Sequence, residues 1–171
     1  MGRAAPSLAP FDPLRALRAL LDRGVRFVVI GGFGGRLYGS PSVTNDLDVC
    51  YARDRDNLEA MASALVDLKA RLRGTPEDVP FLLDADTLAR GDHFSFSTDA
   101  GSLDVMGTPA GVKGFDELDR TATEMDLDGV RVRVASLDDL IRMKQAARRP
   151  KDLIEAEVLG ALRDELDSGG R

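Results

Sequence analysis

The chain has 171 residues, 43% of them hydrophobic, which is enough for one compact domain with a buried core. With 23 basic and 29 acidic residues the net charge is −6, so the molecule as a whole does not attract polyanions such as nucleic acid. A single cysteine, Cys50, excludes an internal disulfide framework, and with one histidine, His93, it leaves too few ligands for a Cys/His zinc site. Because the apolar runs are too short for a membrane span and the N-terminus lacks a secretory signal, we expect a cytoplasmic protein without a membrane partner.

In chain order, the sequence predicts a flexible lead at residues 1–10, a single domain over 11–167 and a loose tail at 168–171. Helical spacing of apolar residues predicts five helices, one from Pro13 to Gly24 and the others at 33–38, 55–72, 136–147 and 151–166. β-Branched runs and period-2 alternation predict six strands, at 25–30, 46–51, 93–97, 103–106, 123–127 and 130–134. This order indicates an α+β (mixed α/β) fold: a small mixed sheet at about 25–135, flanked by helices, with C-terminal helices over about 136–167.

A diglycine, Gly31-Gly32, lies between the first predicted strand and the helix after it. Glycines let the backbone approach an anion closely, and amide groups at such a turn can bind phosphate oxygens. A tight turn that joins strand to helix is the structural alternative. The segment is not a P-loop, because Gly39-Ser40 lacks the lysine, nor a dinucleotide fingerprint, because Leu37 replaces the third glycine.

Three aspartates lie in predicted strands. Asp46 and Asp48 are two residues apart, and Asp104 occupies the same place as Asp48 in a second Leu-Asp-Val triplet. Residues i and i+2 face the same side of a strand, roughly 6.6–6.8 Å apart, and carboxylates at that spacing can hold hard cations such as Mg²⁺. A solvated strand position is the ordinary role of each aspartate alone. Because aspartate is depleted in strands, three of them among aliphatic residues favour a metal site.

These motifs in order resemble the nucleotidyltransferase superfamily related to DNA polymerase β. Its signature is a hydrophobic residue, Gly, then Gly or Ser, about a dozen residues, and Asp-hydrophobic-Asp/Glu-hydrophobic. Here Ile30-Gly31-Gly32 is followed, after residues 33–45, by Asp46-Leu47-Asp48-Val49. Among its branches, the chain is most similar to the minimal bacterial nucleotidyltransferases and the AbiEii-type toxin enzymes, through SLDDLIRMK at 136–144 and RPKD at 149–152. The resemblance covers roughly residues 25–159 and implies the nucleotidyltransferase fold.

The resemblance also implies an enzyme that moves an NMP from an NTP, ATP among them, to a hydroxyl group and releases pyrophosphate. Asp46, Asp48 and Asp104 would be the catalytic residues and the ligands of two Mg²⁺ ions, with Mn²⁺ as the alternative ion. Nucleotide or phosphate contacts are implied for Gly31, Gly32, Ser40, Lys144 and Asp152. Two of these residues have a structural alternative. Ser40 can instead cap the Gly-Ser-Pro-Ser turn, and Asp152 can instead cap a helix.

The sequence leaves the acceptor open between an RNA 3′ end such as that of tRNA, a partner protein and a small molecule. Small size and negative charge disfavour broad RNA binding, although residues 142–151 carry a local basic patch. A toxin–antitoxin role with a cognate antitoxin follows from the branch resemblance alone. The alternative is a catalytically silent nucleotide-binding or antitoxin-like protein that retains the fold. His93 is expected to be structural, and Cys50 to point into the core.

Overall fold

The computed structural model describes residues 9–76 and 80–169, so most of the predicted lead and the last two residues of the predicted tail lie outside the described residues. Within these ranges the chain forms seven helices: α1 (Pro13–Asp22), α2 (Gly31–Leu37), α3 (Arg55–Asp67), α4 (Ala85–Arg90), α5 (Phe115–Thr121), α6 (Leu137–Ala147) and α7 (Pro150–Gly169). None of these helices is long and apolar enough to cross a membrane.

The same ranges contain seven strands: β1 (Phe27–Ile30), β2 (Asp46–Tyr51), β3 (Arg71–Leu72), β4 (His93–Thr98), β5 (Gly101–Met106), β6 (Thr123–Leu127) and β7 (Val130–Val134). They form one mixed sheet in the order β3-β4-β5-β2-β1-β7-β6. The pairs β2–β5 and β1–β7 are parallel, and the other neighbours are antiparallel. The mixed sheet flanked by helices confirms the fold class that the element order predicted.

Helices cover the sheet on both sides. One side, which we call the apolar face, carries alternate residues of the central strands, including Leu47 and Leu103, and packs against α1, α3 and α4. The opposite side, the acidic face, has an apolar part, where residues such as Val28, Ile30 and Cys50 pack against α5, α6 and α7. Asp46, Asp48 and Asp104 continue this second face beyond the helices, where it is partly exposed.

Several local signals in the sequence have the predicted outcome. The Asp12 carboxylate accepts a hydrogen bond from the Arg15 amide at the start of α1, and the Ser136 hydroxyl accepts one from Asp139 at the start of α6. Asp128 and Gly129 both adopt positive φ, as a two-residue hairpin between β6 and β7 requires. Capping and turn chemistry therefore set these boundaries locally.

Other boundaries differ from the prediction. The helix predicted over 55–72 ends at Asp67, because Lys69 is in the left-handed region (φ 53°) and Leu72 pairs with Phe96 in β3. At the other end of the chain, α7 runs to Gly169, so Ser168 and Gly169 are helical rather than part of a loose tail, since neither residue forbids helical dihedral angles. The short elements α4, α5 and β3 were not predicted.

Candidate functional site

The two Leu-Asp-Val triplets lie side by side in the parallel pair β2–β5. Asp48 is in register with Asp104, between the pairs Leu47–Leu103 and Val49–Val105. Paired residues of neighbouring strands point to the same face, with the strands about 4.8 Å apart, so the two carboxyl groups are direct neighbours. Asp46, two residues before Asp48, lies on the same face and is paired with Ser102. The structure therefore brings all three predicted carboxylates to one face, with Asp48 and Asp104 as the close pair.

The close pair changes the ionisation of Asp48. Burial raises the pKa of Asp48, and the charge of Asp104, a hydrogen bond with Asp104 and the charge of Asp46 raise it further, to about 7, against a lowering effect of Lys144. The carboxyl group of Asp48 is thus harder to ionise than that of an ordinary aspartate. On the acidic face, the effect of the neighbouring carboxylates on Asp48 is therefore larger than the opposite effect of Lys144.

Asp104 has a cationic partner of its own. The Nη2 of Arg73 lies 3.1 Å from Oδ1 of Asp104 and donates a second hydrogen bond, of 3.0 Å, to the carbonyl oxygen of Phe96. The Asp104 side chain is 16% exposed and that of Arg73 36%. The sequence did not single out Arg73, which directly follows the segment predicted as a helix and reaches Asp104 only because β3 joins the sheet beside β4.

Gly31 brings the turn after β1 against Asp48. It has φ +69°, and a Cβ atom at this position would lie 2.1 Å from Oδ2 and 2.9 Å from Cβ of Asp48. Only glycine accepts both the backbone angle and this contact. Gly32 is less constrained, since a Cβ there would lie 3.2 Å from Oγ1 of Thr44. The diglycine is therefore built around Asp48, mainly through its first residue.

Two cations, Lys144 on α6 and Arg149 in the link between α6 and α7, converge on a buried carboxylate. Asp152, whose side chain is 1% exposed, accepts a 2.7 Å hydrogen bond from Nε of Arg149 and lies 3.5 Å from Nζ of Lys144. Burial alone would raise the pKa of Asp152, but hydrogen bonds and charges of Arg149 and Lys144 outweigh burial and lower the pKa. An ionised Asp152 thus holds both cations in place on the α6–α7 side.

A pocket of about 410 Å³ connects these groups. Its walls bring together predicted and unpredicted site residues: Gly31, Asp48, Asp104, Lys144, Arg149 and Asp152. Its lining also includes Asp92, His93 and Thr108, and the Thr108 amide and hydroxyl both donate to Asp92. His93 lies in β4, is exposed and borders the pocket. The volume is within the range of small-ligand pockets.

The remaining predicted residues lie elsewhere. Ser40 is buried, donates a 2.9 Å hydrogen bond to Oε1 of Glu155 on α7 and accepts one from the Ser42 amide. This is the turn-capping position that the sequence left open for it, and the pocket lining does not include it. Cys50 is fully buried, as predicted, and burial raises the pKa of its thiol to about 12.

The donor set fits a divalent cation that takes part of its coordination from a substrate. Among residues 9–76 and 80–169, no three His, Cys, Asp or Glu side chains form a ready-made cage for an ion. Mg²⁺ and Mn²⁺ sites commonly use one or two carboxylates and complete the coordination with water and phosphate oxygens. The adjacent Asp48 and Asp104 match this pattern, and a cation between them would relieve the repulsion that raises the pKa of Asp48.

Comparison with known proteins gives several structural neighbours. No protein-family model and no curated protein sequence matches the chain. A candidate nucleotidyltransferase from Thermotoga maritima has a TM-score of 0.50 and 18% identity, over 94% of this chain and 97% of its own. The lincosamide antibiotic adenylyltransferase LnuA, solved with lincomycin, has a TM-score of 0.59 and 11% identity, over 90% and 99%.

A further neighbour is ANT(2″)-Ia in complex with adenylyl-2″-tobramycin, with a TM-score of 0.54 and 17% identity, over 93% of this chain and 97% of its own. At these identities the likeness concerns the fold. The chain therefore has the nucleotidyltransferase fold, over almost its whole length, as the motif resemblance implied.

Proposed function

We propose that the chain is a divalent-metal-dependent nucleotidyltransferase that moves an NMP from an NTP to a hydroxyl group of a small-molecule acceptor. The observation that carries this proposal is the in-register pair Asp48–Asp104, which opens onto a pocket whose other wall holds Lys144 and Arg149. Nucleotidyl transfer needs both the carboxylates and the cations. Carboxylates hold the metal ions, and cations bind the triphosphate.

The roles of the residues follow from their positions. When bound, two Mg²⁺ or Mn²⁺ ions would stabilise the attacking and leaving oxygens of an in-line displacement at the α-phosphorus. Asp46 and Asp48 would hold the ions on the triphosphate, and Asp104 would bind one ion and orient the acceptor hydroxyl, whose proton it would accept. The oxygen–phosphorus bond to the acceptor forms as the bond to pyrophosphate breaks.

The groups around the triphosphate have separate tasks in this proposal. The Gly31-Gly32 backbone would lie beside the phosphates, because Gly31 packs directly against Asp48. Lys144 and Arg149 bind the departing pyrophosphate, and Asp152 is a positioning residue that holds both cations. Ser40 supports the turn through Glu155 and is assigned no phosphate contact.

The size and charge of the molecule support a small acceptor. A pocket of about 410 Å³ holds a nucleotide portion or a small ligand, and a net charge of −6 disfavours a long RNA backbone. LnuA is an antibiotic adenylyltransferase by name, and ANT(2″)-Ia was solved with adenylyl-2″-tobramycin, which supports ATP as donor and a hydroxylated small molecule as acceptor. An RNA 3′ end or a protein hydroxyl is the other acceptor class, and a toxin–antitoxin role with a cognate antitoxin remains a prediction.

The experiment is label transfer. The purified protein is incubated with each α-³²P-labelled NTP, Mg²⁺ and separate RNA, protein and small-molecule fractions of a cell lysate. We expect labelled product in the small-molecule fraction, lost with EDTA and reduced about 10²–10³-fold in Asp48→Asn and Asp104→Asn. The matched control is Asp67→Asn, at an exposed ion pair with Arg23.

The possible results of this experiment distinguish the proposed function from its alternatives. Transfer that is unchanged in Asp48→Asn would overturn the metal assignment. Label in the RNA or protein fraction would keep the reaction and change the acceptor class. Binding of NTP with Mg²⁺ by calorimetry, without transfer to any fraction, would support the catalytically silent alternative.

A further inference from the structure

Arg73 occupies a special place beside the carboxylate pair. It follows the two-residue edge strand β3, where its amide donates to the carbonyl oxygen of Ser95, and its guanidinium crosses to Asp104. The guanidinium contacts Oδ1 of Asp104, and Asp104 is paired with Asp48 on the neighbouring strand. A positive charge thus lies against one of the two carboxylates that we assign to a divalent cation.

A cation in this position competes with a metal ion. Asp104 has two oxygens, and one of them is engaged by Arg73 at 3.1 Å. Like charges a few ångströms apart repel in a partly exposed site, so a bound divalent cation and the guanidinium destabilise each other. The contact is not deeply enclosed, because the Arg73 side chain is 36% exposed and can turn outward without breaking the core.

We infer that Arg73 is a displaceable counter-ion of Asp104: it pairs with this carboxylate in the metal-free protein, yields it when a divalent cation binds, and so sets the metal affinity of the site. The inference rests on the proposed function. Arg73 is a positioning residue in this account and has no part in the transfer step itself. Its second contact, with the Phe96 carbonyl, tethers the guanidinium to the neighbouring strand β4.

A purely structural role makes a different prediction. If Arg73 only joins β3 to the sheet through Phe96, its removal lowers stability equally with and without metal. A counter-ion stabilises the metal-free protein alone, because the ion takes over its function. The difference between the two states therefore separates the roles.

The experiment measures Mn²⁺ binding by the electron paramagnetic resonance of free Mn²⁺, together with thermal unfolding in EDTA and in saturating Mn²⁺. The variants are Arg73→Gln, which removes the charge, and Arg73→Lys, which keeps it. We expect Arg73→Gln to bind Mn²⁺ about fivefold more tightly or better and Arg73→Lys to stay within about twofold of the parent. The rise in melting temperature on adding Mn²⁺ should be larger in Arg73→Gln than in the parent.

Two controls keep the result specific. Arg23→Gln removes an arginine of similar exposure whose partner, Asp67, is outside the pocket, and should leave Mn²⁺ affinity unchanged. In an Asp104→Asn background, Arg73→Gln should no longer change the affinity, because the paired carboxylate charge is gone.

Weaker or unchanged Mn²⁺ binding in folded Arg73→Gln would overturn the inference while leaving the proposed function intact, provided that the parent binds Mn²⁺ and Asp48→Asn does not. Equal loss of melting temperature in EDTA and Mn²⁺ would also overturn it. If Arg73→Gln fails to fold, the Arg73→Lys variant still decides: a Mn²⁺ affinity that differs from the parent by more than about twofold would contradict a role of charge alone.

Discussion

The two faces of β2 and β5 are formed by alternate residues of the same two strands, and their chemistry is opposite. On the apolar face, Leu47, Val49, Leu103 and Val105 are at most 1% exposed and belong to the main core. On the acidic face the residues between them are carboxylates that repel one another. A register shift of one residue would bury the carboxylates and expose the leucines, so burial on the first face fixes the approach of Asp48 to Asp104 on the second.

This comparison shows where the free energy for an unfavourable site comes from. Burial of aliphatic side chains stabilises the strand pair, and crowding of the carboxylates destabilises it. The apolar face should therefore control folding, and the acidic face should control metal binding and its pH dependence. Substitutions that act on one face at a time test this division.

The largest expected effect on stability is on the apolar face. Leu103→Ala should lower the free energy of unfolding by about 3 kcal/mol, because it removes a side chain that is 1% exposed and leaves a cavity between the sheet and its helices. Urea unfolding followed by circular dichroism measures the change. The matched control is Leu82→Ala, whose side chain is largely exposed and whose removal should cost less than about 0.5 kcal/mol. Equal costs for the two leucines would contradict the division between the faces.

Gly31→Ala should come next, at about 2 kcal/mol, because the new methyl group meets Asp48 and the residue needs a positive φ. Gly24→Ala is a close control: Gly24 has a similar φ of +73°, and no atom lies within 4 Å of the position that its new methyl group would take. This control therefore reports the backbone cost of about 1 kcal/mol alone. We expect Gly31→Ala, but not Gly24→Ala, also to weaken Mn²⁺ binding. Indistinguishable effects of the two substitutions would show that the contact with Asp48 has no consequence.

The charge on Asp48 predicts a pH-dependent effect in the metal-free protein. Since the pKa of Asp48 is raised to about 7 from an ordinary value near 3.8, the stability contributed by its neutral form is complete below about pH 4 and is lost as the pH rises to about 7. Asp48→Asn has no charge to lose. Relative to the parent in EDTA, it should therefore gain about 2 kcal/mol of unfolding free energy between pH 5 and pH 8. A stability difference that does not change over this range would contradict the raised pKa.

The smallest of these effects concerns the metal itself. A cation at Asp48 requires the ionised carboxylate, so binding releases a proton when the pKa is about 7. Mg²⁺ affinity should then fall about tenfold from pH 8 to pH 6, as measured by isothermal calorimetry in two buffers of different ionisation enthalpy. A pH-independent affinity without proton release would place the ion away from Asp48.

The local features of the site could be predicted from the sequence. Period-2 alternation at 46–51 and 103–106 identified two strands and the face of their aspartates, and the diglycine marked the turn against Asp48. The pairing of Asp48 with Asp104 depends on the order of strands in the sheet. Along the chain, β3 and β4 come between β2 and β5, but in the sheet β2 and β5 are neighbours and β4 lies on the other side of β5. The repeated Leu-Asp-Val triplet made Asp104 the candidate, but no local pattern contains the strand order that pairs it with Asp48.

Other features could not be predicted because a local pattern pointed to a different structure. Leu65, Leu68 and Leu72 keep helical spacing across the end of α3, which concealed both the left-handed Lys69 and the strand that carries Arg73 to Asp104. For Ser40 the sequence left two roles open, and the deciding partner, Glu155, lies on α7, far along the chain. In both cases a long-range contact decides.

The most direct test of the central claim is a crystal structure of the protein with Mn²⁺ and a non-hydrolysable NTP analogue, with anomalous data collected at the manganese edge. Our account predicts an anomalous peak between Asp48 and Asp104, with the triphosphate extending towards Lys144 and Arg149. An ordered nucleotide with no manganese at the carboxylate pair, or bound outside this pocket, would contradict it.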